Sequence, residues 1–151
     1  MSADRLDFSY IFRVRRDYCR ALLELSRGQD TLIETDDYTQ LLVILGQKQG
    51  ILGRMEELNR GQPRLWETWR AQRGQLDAGT RALCETLLEE TQTVLAELHQ
   101  QEHLSTERLA SRRNETRLEL ATIAHGARAH DAYAHVEAAS AESGYRLDVG
   151  Q

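Results

Sequence analysis

Residues 99–103 read HQQEH, the His-x-x-Glu-His spacing of one class of zinc peptidase. On a helix His99 and His103 lie one turn apart on a single face, where they can share a zinc ion, with Glu102 beside them as a base. That is half a site. A catalytic zinc also needs a third ligand, an open water position, second-shell partners and a walled cleft. Glu107, four residues after His103, is the nearest third candidate, yet long helices alone build no pocket around it. The reading preferred here is a polar helix flank, with a zinc-dependent hydrolase kept as the distant alternative. Metal and cofactor are expected to be absent.

The remaining histidines do not converge. His125, His130 and His135 are spaced by five, which turns a helix by about 140° net at each step. No histidine has a glutamate three positions before it, so the paired Glu-x-x-His of a di-iron bundle is missing. The chain also lacks a Gly-rich phosphate loop and a Gly-x-Ser-x-Gly elbow. The sequence therefore supports no enzyme.

The elements that carry these residues are helices. Apolar residues recur at intervals of three and four, and no strand alternation appears. Helices are predicted at about 4–26, 36–59, 64–104 and 106–137, the third either running on or breaking near Ser105 and restarting, with residues 138–151 as a flexible tail. The polar stretch SRGQDT (26–31) is read as the first loop. In the first helix Ile11, Val14, Tyr18, Ala21 or Leu22, and Leu25 form a seam. The second aligns Leu41, Ile44, Leu45, Ile51, Leu52, Met55 and Leu58 on one side, with Asp36 and Asp37 at its start and Asn59 and Gly61 at its exit. Pro63 opens the third in a first-turn position. Forty helical residues span roughly 60 Å. The expected fold is all-α: an elongated antiparallel bundle or coiled coil of three or four long helices in one domain, 1–137.

Gly46, Gly50 and Gly53 interrupt the second helix at about 0.5–1 kcal/mol each relative to alanine. Close approach of a neighbouring backbone is the preferred explanation, and a hinge is the alternative. Trp66 and Trp69 are expected to cover one end of the bundle, with the stems of Arg70 and Arg73 on the rings.

Composition narrows the partners. With 24 acidic and 19 basic residues the net charge is −5, which disfavours nucleic acid and anionic membrane surfaces. The arginines at 13, 15, 16 and 20 and at 108, 112, 113 and 117 sit among acids and read as solvated charged faces. Two cysteines, Cys19 and Cys84, are too few for a disulfide framework and are expected to be buried apolar residues. No run approaches the roughly 20 apolar residues that span a bilayer, and no leader pattern is visible, so a cytoplasmic location is expected.

The stretch DDYTQLLVILGQKQGILGRMEELNRGQPRLWETW (36–69) resembles the central motif of flagellar export chaperones of the FlgN family, and more loosely FliT: a polar lead, paired leucines, a lysine, then a second apolar run. Lys48, the only lysine in the chain, occupies the lysine place. The closing YRLDVG is similar to the tyrosine-to-glycine ending of such proteins. The resemblance implies a non-ATPase chaperone that binds a terminal helical segment of hook-filament junction proteins and delivers it to the type III export apparatus. An amphipathic client helix would lie along the apolar residues of the last region, Leu118, Leu120, Ile123, Tyr133 and Val136. A structural coiled-coil adaptor or homodimer is the rival reading.

Overall fold

The computed structural model describes the backbone of residues 6–141 and the side chains of residues 6–134. Four α-helices occupy the described residues: α1 (Phe8–Glu34), α2 (Tyr38–Gly61), α3 (Leu65–Gln72) and α4 (Ala78–Ala141), with a single 3₁₀ turn, Arg73–Gln75, between α3 and α4. The chain divides into two compact units, the first ending at Leu109 and the second beginning at Ala110.

Short polar side chains set the helix starts. The Asp7 carboxylate accepts from the Tyr10 amide at 3.2 Å, Asp37 from the Gln40 amide at 3.2 Å, and Asp77 from the Thr80 amide at 3.0 Å. Between α1 and α2 the chain reverses through Asp36, whose φ of 56° lies in the left-handed region that Asp tolerates better than most residues. Pro63 falls in the turn before α3 rather than in its first turn.

The first unit is held by an aromatic knot. Phe8, Ile11 and Phe12 of α1 meet Leu65 and Trp69 of α3 and Cys84 and Leu87 of α4, all buried. Trp69 stands edge-on to Phe8 and Phe12, at 5.2 and 5.1 Å between centroids, and Trp66 stacks on Phe12 at 5.7 Å. Burying each large ring contributes on the order of 2–3 kcal/mol, and the ring pairs add to that. The cation over Trp66 is Arg15 of α1, 5.2 Å from the ring centroid, where Arg70 and Arg73 were expected. Both cysteines are free and buried.

Several boundaries differ from the sequence expectation, each for a physical reason. Residues 26–31 continue α1, because Ser26 and Gln29 turn inward and find polar partners on other helices. The predicted helix 64–104 breaks at 73–77, where Gly74 and the capping Asp77 intervene. At Ser105, where the sequence leaves open a break or a continuous helix, α4 runs on, with Ser105 buried and its hydroxyl 3.4 Å from Asp30. Of the expected tail, residues 138–141 are helical and 142–151 lie outside the described residues.

The buried face of α1 is also rotated from the expected seam. Phe8, Phe12, Cys19, Leu23 and Ile33 are buried along with Ile11 and Leu22, while Val14, Tyr18, Ala21 and Leu25 are half-buried. In α2 only Leu41 of the expected stripe is buried, and Leu45 and Leu52 are exposed. A Cβ on Gly46, Gly50 or Gly53 would meet nothing within 4 Å, so close helix approach does not account for these glycines. Close approach occurs instead at Gly28 of α1, where a Cβ would stand 3.3 Å from the Ile44 side chain of α2.

Candidate functional site

The HQQEH string resolves into residues that face different ways. His99 and His103 are exposed, and His103 Nε2 lies 3.2 Å from Glu107 Oε1 one turn on. Glu102 turns inward, where its carboxylate accepts hydrogen bonds from Lys48 Nζ of α2 and Ser26 Oγ of α1. Among the described residues no three His, Cys, Asp or Glu side chains converge as metal ligands. The acid that would serve a zinc site as base is thus committed to an ion pair.

That pair is the centre of a polar layer across three helices. Lys48 Nζ also donates to Gln29 Oε1 at 2.8 Å, and only 12% of the lysine side chain is exposed. Ser26 and Gln29 are buried. Nearly two turns further along α4, Arg108 reaches Asp30 at 3.2 Å and also pairs with Glu34. Burial works against ionisation of Glu102, and the hydrogen bonds from Lys48 and Ser26 with the lysine charge outweigh it, holding the carboxyl below its ordinary value. Buried charges of this kind persist only when each is paired. The sequence reading missed this layer. Its available signals were the lone lysine and the small and amide residues Ser26 and Gln29, three apart in an otherwise apolar register.

Two arginines of the first cluster join α1 to α4. Arg16 and Arg20 both pair with Glu90, at 2.9 and 3.1 Å, and Arg27 reaches Glu97 at 3.3 Å. Arg16 is half-buried rather than fully solvated.

The second unit carries the residues expected to contact a partner. Leu118, Leu120, Ile123 and Tyr133 lie on α4 and are 69, 60, 66 and 66% exposed. Val136 is in the same helix, and its side chain lies outside the described residues. At 100° per residue Leu120 and Ile123 share one side, and Leu118 and Tyr133 another. Arg112 pairs with Glu115 at 3.5 Å, a turn of the helix away. Exposed leucine is unremarkable singly, and here the four large apolar side chains divide between two sides of the helix.

No helix among the described residues is long and apolar enough to cross a membrane. Comparison of the chain with protein-family models, with curated proteins and with solved structures gave no match.

Proposed function

We propose that the protein is a non-enzymatic chaperone of the FlgN or FliT type, which shelters a terminal helix of a hook-filament junction subunit in the cytoplasm and hands it to the type III export apparatus. The observation that carries this reading is the exposure of Leu118, Leu120, Ile123 and Tyr133 on α4. An amphipathic client helix laid along one of these sides removes apolar surface of both chains from water, the helix-in-groove mode of recognition. The likeness of residues 36–69 to the family motif supplies the client class. Lys48 itself would serve the chaperone structurally, since its ammonium is taken up by Gln29 and Glu102.

The test mixes the full chain with the terminal region of a junction subunit and measures mass and affinity in solution. A one-to-one complex is expected, with affinity falling at least tenfold on Leu120→Asp with Ile123→Asp and lost on truncation after Leu109. Undiminished binding by both variants would overturn the assignment. The rival homo-oligomer finds support in α2, whose Leu42, Val43, Leu45 and Leu52 are exposed. It predicts a concentration-dependent mass for the chain alone.

A further inference from the structure

We infer that α4 from Glu90 to Arg108 is an electrostatic strap, which lifts from the α1–α2 hairpin as ionic strength rises while the aromatic knot stays closed as its pivot. Two kinds of packing meet on this one helix. Cys84 and Leu87 are buried in the knot, and past Leu87 no apolar residue of α4 is buried among the described residues. The buried side chains beyond it are those of Thr91 and Ser105, with Val94 and Leu98 half-buried.

Charges hold this stretch instead. Over the roughly 27 Å of helix between Glu90 and Arg108, α4 reaches the hairpin through the ion pairs of Glu90, Glu97, Glu102 and Arg108. The hairpin is held differently. At Gly28 of α1 an added Cβ would stand 3.3 Å from Ile44 of α2, and Lys48–Gln29 and Arg15–Asn59 hydrogen bonds bridge the two helices. The strap can thus lift without parting α1 from α2, a local opening of the least apolar contact in the unit.

Exposure ranks the ties. The side chains of Arg27 and Glu97 are 52 and 51% exposed, and those of Arg108 and Glu34 are 44 and 59% exposed. Pairs so open to water lose most of their attraction when the screening length falls from about 10 Å at 0.1 M salt to about 3 Å at 1 M. Lys48 is shielded until those pairs let go, since only 12% of its side chain is exposed. The knot is apolar and has little charge to screen. The strap lies within the first unit and does not rest on the client surface proposed above.

The chain carries its own reporters: its one lysine sits under the strap, and both tryptophans sit at the knot. The experiment acetylates the full chain with an N-hydroxysuccinimide ester at one pH, in about 0.05 M and about 1 M NaCl. Mass spectrometry after proteolysis reads Lys48, normalised to a lysine peptide in the same tube, while tryptophan emission is followed in parallel. Lys48 reactivity is expected to rise at least fivefold with salt, with emission unchanged. Glu97→Arg sets a like charge against Arg27 and lies outside both the Lys48 contact and the knot. It should raise Lys48 reactivity at low salt at least threefold, and adding Arg27→Glu should bring it back; circular dichroism checks that both variants fold. Reactivity indifferent to salt, or to Glu97→Arg, would overturn the strap. So would a rise that comes only with a shift in tryptophan emission, because the knot would then be opening with it.

Discussion

Lys48 of α2 and Glu102 of α4 form an ion pair in the first unit, which ties the glutamate of the His99–His103 string to the lone lysine of the chain. Ser26 and Gln29 of α1 complete the contact from a third helix. The layer fixes which residues of the three helices stand opposite one another, since a slip of one turn would leave a buried ammonium without its acceptors.

Truncating the lysine should therefore cost more than losing an exposed pair. Lys48→Ala is expected to destabilise the fold by about 2–3 kcal/mol, because Gln29 and Glu102 are left partly buried without their donor. Replacing both ends, Lys48→Met with Glu102→Leu, should recover most of that loss. Urea unfolding followed by circular dichroism measures both. A single-variant loss no larger than the few tenths typical of a surface pair would mean that the contact holds nothing.

Acid should remove the same contribution. The Glu102 carboxyl is lowered in the folded chain, so its ionised form stabilises the fold at pH values above the ordinary carboxylate range. That stabilisation fades as pH falls through the lowered value, where folded and unfolded chains both become protonated. The stability gap between the natural chain and Glu102→Gln is thus expected to be widest at neutral pH and to narrow on acidification. A gap that stays constant across a pH series of melting curves would contradict the assignment.

The glycines of α2 offer a gain. Gly46→Ala and Gly53→Ala add a methyl into open space and remove a flexible residue from a helix interior, so each should stabilise by about 0.5–1 kcal/mol. Gly28→Ala should gain less, since Ile44 must shift by a few tenths of an ångström. Thermal melts of the three variants give the order directly. Destabilisation by Gly46→Ala would show that the second helix must bend or be approached there.

Much of the fold was legible from spacing alone. The three-and-four recurrence gave helices throughout, and Asp37 and Gly61 marked the ends of α2 as read. Capping and periodicity are local, and they are written in neighbouring residues. The site was less legible. Leu118, Leu120, Ile123 and Tyr133 were chosen as apolar residues on mixed sides of a helix, and their exposure is a property of what packs nearby.

Composition and periodicity by themselves determined that this chain is helical and acidic, with two isolated cysteines and no long apolar span. Only the tertiary structure decided that SRGQDT stays helical, that the face of α1 bearing Phe8 and Phe12 is the buried one, and that Glu102 turns toward Lys48. The reason is one of range. A polar residue in a helix is judged unfavourable by its neighbours in sequence, and it becomes favourable when a partner from a helix more than fifty residues away supplies the missing hydrogen bond.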